Sequence, residues 1–242
     1  MDSLSILDAQ VDDWGLHLDH ARRDRLLEYA RLLASYDRAN VIGTKDEGRI
    51  VVDHVLDSLS CLLYGPLSKA RRFVDVGSGG GLPGIPIKIM EPELMTTLVE
   101  STGKKATFLR YVVGELSLDG VEVANSRVED LGRTLVHRGA YGVVTSRAVA
   151  RLSVVAEYCV PLLELGGSAI TMKGRLEPAE LEEGSRAVAA LGAEVAEILK
   201  VPKLPEAGEK ERNLVILEKL RETPGQYPRR AGVAARRPLG VG

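Results

Sequence analysis

The amino-acid sequence predicts an α/β fold in which a seven-stranded Rossmann-like sheet follows an N-terminal helical cap. Three observations support this prediction. Apolar residues recur at helical spacing up to residue 70, and from residue 72 short apolar runs alternate with helical segments. A glycine-rich segment, residues 77–84, follows the first of these runs almost directly. With 242 residues and 45% hydrophobic content, the chain can bury the core of one such domain.

Two apolar stripes predict the helices of the cap. The stripes consist of Leu26, Leu27, Ala30, Leu33 and Ala34, and of Val51, Val55, Leu59 and Leu62. A polar connection over residues 40–48 separates them, and either Asp46 or Glu47 is expected to cap the helix that follows. The cap is therefore placed at residues 1–70, before the sheet domain at 71–220 and a basic C-terminal tail at 221–242.

Seven apolar segments predict the strands of the sheet. Five of them alternate with helical segments, which is typical of a parallel sheet covered on both faces. The five strands are 72–76, 95–99, 121–125, 141–145 and 167–172, and the helices are 84–90, 104–116, 152–163 and 177–191. The last two strands, 194–201 and 212–219, are separated by Pro202, Pro205 and Gly208, so an antiparallel pair is expected to close the sheet.

The segment after the first strand predicts a site for a nucleotide-like cofactor. Glycines at 77, 79, 80 and 81 permit positive φ angles and let a ligand lie against the main chain. Pro83 and Pro86 suit the first turn of a helix, where a missing N–H costs nothing. We therefore expect the free amides of that helix start to face the ligand.

Two carboxylates help to choose the cofactor. Glu100 ends the second strand, where it can accept hydrogen bonds from ribose hydroxyls. Asp75 ends the first strand, where it would repel a pyrophosphate but can hold the cationic amino-acid group of S-adenosylmethionine. A dinucleotide turn would also have glycine at the position of Leu82. S-adenosylmethionine is favoured, and a nicotinamide cofactor or a turn that only reverses the chain are the alternatives.

The remaining candidate residues follow the third, fourth and fifth strands, because ligands of open α/β sheets lie outside the carboxyl ends of the strands. Val128 and Glu129 can meet an adenine edge, or Glu129 only stabilises a helix N-terminus. Arg147 faces the crevice with a rigid fork of donors, or forms a surface ion pair. Lys173 belongs to the site, or extends to water at its rim.

Charge points to nucleic acid only at the C-terminus. The net charge is −2 and the pI is near 6.2, so the chain as a whole is not basic. Residues 223–242 nevertheless hold four arginines and no acidic residue, which favours contact with phosphates. These arginines are Arg229, Arg230, Arg236 and Arg237. A disordered, solubilising end is the alternative.

Cysteine usage and hydropathy point to the cytoplasm. Cys61 and Cys159 each lie in an apolar helical pattern, which favours core packing in a reducing compartment over a disulfide or a metal site. The N-terminus does not resemble a signal segment, and no run approaches the roughly 18 apolar residues of a membrane span. No bound metal and no membrane partner are expected.

Five segments resemble one known family nearly end to end. They are residues 53–59, 74–86, 145–150, 172–174 and 227–232, and they resemble the bacterial small-subunit ribosomal RNA guanine-N7 methyltransferase G family, also called glucose-inhibited division protein B. The resemblance implies a class I methyltransferase sheet and S-adenosylmethionine as methyl donor. It also implies N7 of one guanine in 16S rRNA as acceptor, in free RNA or in a small ribosomal subunit particle, and we expect a monomer.

The resemblance also implies site residues. It places cofactor contacts on Gly77, Leu82, Val128, Glu129 and Arg147. Asp75, Gly79 and Glu100 join them through the sheet argument. The chain departs from the family at Asp53, where arginine is frequent, and at residues 40–42, and both departures concern RNA contact.

Guanine N7 carries an in-plane lone pair, so its methylation requires no general base. Catalysis is then expected to consist mainly of positioning. Arg147 is the candidate catalytic residue, and we expect it to organise the site or to bind RNA phosphate, since a cation facing N7 would oppose the charge that develops on the ring. A nicotinamide-dependent oxidoreductase and a non-catalytic RNA-binding protein with a vestigial cofactor pocket remain alternatives.

Overall fold

A computed structural model describes residues 2–147, 150–203 and 211–241, and its strands form one seven-stranded sheet of order β3-β2-β1-β4-β5-β7-β6. The strands are β1 (Arg72–Val76), β2 (Met95–Val99), β3 (Val121–Ala124), β4 (Tyr141–Arg147), β5 (Leu163–Lys173), β6 (Ala193–Lys200) and β7 (Asn213–Lys219). The first five pair in parallel, whereas β7 runs antiparallel to both β5 and β6. The predicted seven-stranded α/β fold with its closing antiparallel pair is confirmed.

Helices precede the sheet and connect its strands. They are α1 (Ser3–Asp13), α2 (His20–Ser35), α3 (Glu47–Ile50), α4 (Leu56–Leu59), α5 (Gly84–Met90), α6 (Gly103–Glu115), α7 (Val128–Leu131), α8 (Leu152–Cys159), α9 (Pro178–Ala190) and α10 (Val233–Arg236). Asp46 caps α3 by accepting a hydrogen bond from the Arg49 amide at 2.9 Å. Of the two predicted capping residues, Asp46 and Glu47, the first is therefore confirmed. In the described part of the chain, no helix has the length and apolar character that crossing a bilayer requires.

The largest boundary differences from the prediction lie where α8 ends and β5 begins. α8 ends at Cys159 rather than at residue 163, and β5 begins at Leu163 rather than at 167. The glycines at 166 and 167 suggest a turn in the sequence, but they lie inside β5. A Cβ at Gly167 would stand 3.0 Å from the carbonyl oxygens of Tyr141 and Gly142 on the neighbouring strand, so glycine here permits close approach of two backbones.

Alternating side chains give the sheet two buried faces. Phe73 packs with the N-terminal helices, α5 and α6, while Val74 packs with α7, α8 and α9 on the opposite face. Cys61 and Cys159 are fully buried free thiols, which confirms their predicted place in the core. The C-terminal segment also belongs to the second face, where Tyr227 and Leu239 pack against the core.

A π-helical turn, Val51–Val55, joins α3 to α4 without a break in the helical path. The Leu56 amide donates to the Val51 carbonyl, five residues back, instead of to the residue four back. Such turns inside α-helices are frequent at functional sites, because the extra residue redirects the side chains of one turn. Asp53 and His54 lie in this turn, and both line a cavity at the carboxyl edge of the sheet.

Candidate functional site at the carboxyl edge of the sheet

The glycine turn lies at the point where strand order reverses, with β2 on one side of β1 and β4 on the other. Gly77, Gly79 and Gly81 have φ angles of +73°, +56° and +95°, which L-residues with a Cβ rarely adopt. The predicted left-handed backbone is therefore present. In open α/β sheets such a switch point forms the crevice in which ligands bind.

The amides at the start of α5 differ from the expectation. The Gly84 amide donates to Asp75 Oδ2 at 3.2 Å and the Ile85 amide donates to the Gly81 carbonyl at 2.7 Å, so the prediction that they face a ligand as free donors is wrong.

In the turn itself, the Gly77 and Ser78 amides donate to the Val99 carbonyl at 3.0 Å, and the Gly79 amide donates to Glu100 Oε2 at 3.0 Å. The turn therefore lets a ligand approach the main chain closely where there is no Cβ, and it does not offer a set of free amides to bind the ligand.

Asp75 lies fully buried beneath the turn. Thr145 Oγ1 donates to its Oδ1 at 2.9 Å, and the Gly84 amide donates to its Oδ2 at 3.2 Å. Burial raises the pKa of Asp75 to about 6, against the opposing effect of these hydrogen bonds. The carboxylate thus joins β1, β4 and the start of α5, while its direct contact with a cofactor stays a prediction.

Two glycines have roles that the sequence reasoning missed. A Cβ at Gly84 would stand 2.5 Å from Leu98 Cδ2 and 2.9 Å from Asp75 Oδ2, so only glycine lets α5 start against the sheet. This is the role of the third glycine in dinucleotide turns, shifted here by two residues past Leu82. At Gly80, the Tyr29 hydroxyl donates to the carbonyl at 2.7 Å, which fastens α2 to the turn.

Glu100 occupies the end of β2 as predicted and is almost completely buried. Its Oε2 accepts the Gly79 amide and its Oε1 accepts the Thr102 amide at 2.7 Å. An ionised carboxylate offers about four acceptor positions, so roughly two remain for ligand hydroxyls. The side chain is held rigidly and keeps acceptor capacity, which suits the two hydroxyls of a ribose.

Val128 and Glu129 follow β3 next to this carboxylate. Asn125, between β3 and α7, donates from Nδ2 to the Glu100 carbonyl at 2.8 Å, which ties the segment to the end of β2. Glu129 is buried, and its Oε1 accepts the Gly232 amide of the C-terminal segment at 2.8 Å. The two residues lie 103 positions apart in the sequence. Neither of the roles considered for Glu129, contact with adenine or stabilisation of a helix N-terminus, includes this hydrogen bond. Leu82, also buried, packs in the core under the turn.

Arg147 lies in a partly buried ionic network on the other side of β1. Its Nη1 lies 3.2 Å from Asp57 Oδ2, and its Nη2 lies 2.8 Å from His54 Nδ1. Arg212 Nε binds the second oxygen of the same carboxylate at 3.1 Å. Burial raises the pKa of Asp57 despite both arginines, which pull it down. The ion pair that the sequence left open exists, but it holds Arg147 at the functional edge.

A cavity of about 380 Å³ opens beside Arg147, between the π-helical turn and the ends of β4, β5 and β7. Lys173 lines it and is ion-paired, with Nζ 2.6 Å from Glu180 Oε1. Ser146 lines it as well, and its buried Oγ has no hydrogen-bond partner among the described residues. That Oγ is closed off from solvent, so it is the cavity, and not this atom, that offers room for a ligand.

The predicted residues therefore fall into two groups along one edge. Glu100, Val128 and Glu129 lie toward β2 and β3, while Arg147 and Lys173 lie toward β4 and β5, with the glycine turn between them. Within the described residues, no three His, Cys, Asp or Glu side chains come together as metal ligands do.

The C-terminal tail corrects one prediction. Arg229 is bound to Glu157 of α8, with Nη2 2.6 Å from Oε2, so it is not available to phosphate. Arg230, Arg236 and Arg237 are exposed. Three of the four arginines are therefore presented to solvent on a segment that packs against the domain.

A family profile, described as rRNA small subunit methyltransferase G, matches residues 22–215. A relative of that description from Rubrobacter xylanophilus is 57% identical over 95% of this chain and 88% of its own length. Another, from Clostridium kluyveri, is 36% identical over 99% of this chain and 100% of its own. The chain belongs to this family. The rRNA small subunit methyltransferase G family consists of methyltransferases, so the oxidoreductase and the non-catalytic alternatives are not favoured.

Solved structures share the fold at low identity. A geranyl diphosphate methyltransferase in complex with SAM has a TM-score of 0.51 and 16% identity, covering 68% of this chain and 85% of that one. A branched-chain polyamine synthase from Thermus thermophilus has a TM-score of 0.59 and 14% identity, covering 84% and 65%. The second protein is not named a methyltransferase, so this likeness identifies the class I fold and not the reaction.

Proposed function

We propose that this protein transfers the methyl group of S-adenosylmethionine to N7 of one guanine in 16S rRNA. The observation that carries the proposal is the match to the rRNA small subunit methyltransferase G family over residues 22–215, which contains both groups of site residues. Its relatives are named for the RNA of the small ribosomal subunit. These names do not specify the methylated atom, and the choice of guanine N7 comes from the motif resemblance described above.

The residues present fit the cofactor. Gly77 and Gly79 allow an adenosyl group to lie against the backbone, and Glu100 keeps acceptor positions for its ribose hydroxyls. Val128 and Glu129 border the adenine end, and Leu82 supports the turn from below. When bound, the cofactor supplies an electrophilic methyl group on a sulfonium. Asp75 acts mainly by fixing the turn, because protein donors already occupy both of its oxygens.

The acceptor guanine is proposed to enter the cavity at β4 and β5. The volume of this cavity lies at the lower end of the range for small-molecule sites, roughly 300–1,000 Å³, and it suits a single base. Ser146 and Lys173 line this cavity and are proposed to border the base. Because β1 lies between β2 and β4, a cofactor with its ribose at Glu100 would have its methionine end beside this cavity.

The protein's own contribution is positioning, because N7 needs no proton removed before it reacts. Arg147 is held by Asp57 and His54 at the cavity wall, and the Asp57 carboxylate, which Arg212 also contacts, offsets part of its charge. The fixed hydrogen bonds hold the guanidinium against Asp57, so Arg147 is not proposed to act on N7, where a cation would oppose the charge that the ring gains. Arg147 is therefore proposed to fix the wall of the acceptor site.

The proposal also assigns a setting. A protein that modifies small-subunit RNA works where ribosomes assemble, which is the cytoplasm. A monomer is proposed as the active form. The exposed arginines of the C-terminal segment are proposed to bind the phosphates of the RNA.

The test is transfer of labelled methyl from S-adenosylmethionine to 30S particles from a strain that lacks this enzyme, followed by mapping of the modified base. A single N7-methylguanine in 16S rRNA is expected. Glu100→Ala should abolish transfer at limiting cofactor, whereas Glu115→Gln, an exposed carboxylate at the end of α6, serves as the matched control. Methyl transfer to a different atom or RNA would contradict the proposal.

A further inference from the structure

The C-terminal segment is bound to the domain through main-chain carbonyls and two buried carboxylates. We name residues 223–240 the C-terminal strap. Arg138, in the loop after α7, donates to the carbonyls of Thr223, Pro224 and Tyr227. Arg133 donates to the Pro228 carbonyl at 2.9 Å. The strap therefore follows a defined path across the α7 to α9 face of the sheet.

One ion pair fastens the middle of the strap. Glu157 on α8 is 0% exposed, and Oε1 accepts the amide and Nε of Arg229 at 2.8 and 2.9 Å. Oε2 accepts Nε and Nη2 of the same guanidinium at 3.1 and 2.6 Å. This bidentate, charge-assisted geometry is among the strong side-chain interactions. Removing Arg229 alone would leave a buried carboxylate without its cation, so the strap cannot leave easily.

Three residues past Arg229, the strap reaches the cofactor edge. The Gly232 amide donates to Glu129 Oε1 at 2.8 Å, and Glu129 follows the segment that Asn125 ties to Glu100. Gly232 has a φ of +78°, so the chain turns there in a conformation that favours glycine. A carboxylate at the proposed adenine end thus takes its orientation from a residue 103 positions further on.

We infer that the strap is part of the cofactor site, and that Glu157 and Arg229 are positioning residues that act on cofactor binding through Gly232 and Glu129. The inference rests on the proposed function, because that proposal places the adenosyl group beside Glu129. When the strap is bound, the Gly232 amide holds the Glu129 carboxylate in one position. When the strap is released, Glu129 loses its hydrogen-bond partner. Binding of the cofactor must then order this side chain, and the entropy lost in doing so weakens the affinity for the cofactor.

Coupling of this kind is reciprocal, so it can be measured from either side. The binding test uses S-adenosylmethionine and the full chain, without RNA, in calorimetry. Arg229→Met should weaken cofactor binding about tenfold, within the usual range of coupling between sites. Arg221→Met is the matched control. It removes the same charge from a residue just before the strap, which is exposed and forms no ion pair among the described residues, and it should bind the cofactor normally.

A second variant covers the case in which Arg229→Met fails to fold. Glu157→Leu combined with Arg229→Met replaces the buried pair by apolar side chains, which is often neutral for stability. The double variant should also bind the cofactor about tenfold more weakly, because the strap has lost its fastening. Unchanged affinity in a folded double variant would overturn the inference.

Hydrogen exchange gives a readout that a merely structural strap would not move. In the native chain, S-adenosylmethionine should slow amide exchange in residues 223–240, and the effect should be lost in the double variant. Exchange that ignores the cofactor, although the cofactor binds, would contradict the coupling. Failure of the native chain to bind S-adenosylmethionine at all would instead contradict the proposed function, so the two failures are distinct.

Discussion

Asp75 is a carboxylate that folding removes completely from water. Burial raises its pKa from an ordinary 3.8 to about 6, so between these values the folded chain binds a proton that the unfolded chain does not. The slope of stability with pH follows the excess of protons bound by the unfolded state, which is negative here. The contribution of Asp75 is therefore most favourable below its unfolded pKa and is lost as pH rises toward 6 and above.

We expect Asp75→Asn to gain stability relative to the native chain as pH rises from about 4 to 7, by up to about 3 kcal/mol. The amide has no charge to bury, and it can still accept the Gly84 amide and donate to Thr145. Urea unfolding across this pH range measures the difference, and Asp37→Asn, an exposed aspartate, is the control. A difference that stays constant with pH would contradict the prediction.

Glycine at residue 84 provides a second test at this scale. Gly84→Ala would place a Cβ 2.5 Å from Leu98 and 2.9 Å from Asp75, so we expect a loss of about 1–3 kcal/mol in the free energy of unfolding. The same change at Gly114, inside α6 with no atom near the new Cβ, should stabilise by about 0.5–1 kcal/mol. Equal effects at both positions, measured by urea unfolding, would contradict the packing argument.

At the scale of elements, the π-helical turn presents His54 from the cap and α4 presents Asp57, while β4 presents Arg147 to both. Arg147→Ala keeps the fold, because Arg212 still neutralises the buried Asp57. Methyl transfer at saturating cofactor should nevertheless fall roughly 10- to 100-fold, since small losses of positioning are costly. Arg147→Lys keeps the charge but not the fork, and should restore activity only in part.

Turnover of labelled methyl into 30S particles measures this effect, with the Michaelis constant for S-adenosylmethionine determined separately. Arg31→Ala, on the exposed face of α2, is the control and should behave as the native chain. An effect confined to the Michaelis constant for the cofactor would move Arg147 from the acceptor site to the cofactor site. Normal turnover would remove it from the site altogether.

Elements were predictable where one local signal dominates. β1 and β2 were predicted at their observed bounds, because an apolar run ends at a polar residue and a turn follows at once. β5 was predicted too short, because the glycines at 166 and 167 indicate a turn unless the neighbouring strand is known. α7 escaped prediction as a helix, since four residues are too few to show a helical period.

At the scale of the whole molecule, local sequence patterns no longer predict which residues contact one another. The place of Glu100 and Arg147 at the carboxyl edge of the sheet could be predicted, because each stands at the end of a strand and topology alone brings strand ends together. The residues that hold the site in place could not be predicted. Asp57 and Arg147 lie 90 positions apart in the sequence, and Glu157 and Arg229 lie 72 apart. No periodicity links such positions, and their choice depends on how two helices and a tail pack on a finished sheet.

RNA binding belongs to the same scale, because it depends on charge that the packed tail presents. Arg229 is occupied by Glu157, so three arginines remain for phosphates, namely Arg230, Arg236 and Arg237. At about 0.7 per contact on single-stranded RNA, their replacement by methionine should flatten the log-log salt dependence of binding by roughly 2. Filter binding of a 16S rRNA fragment across a salt series measures the slope.

Arg229→Met alone gives the contrasting result, because its guanidinium faces Glu157 rather than solvent. Its slope should change little, while its affinity for S-adenosylmethionine falls. The triple variant should show the reverse, with a flatter slope and normal cofactor affinity. The strap would then serve two ligands with separate residues, the ion-paired Arg229 for the cofactor site and exposed arginines for RNA. A slope left unchanged in the triple variant would place the RNA contacts elsewhere on the molecule.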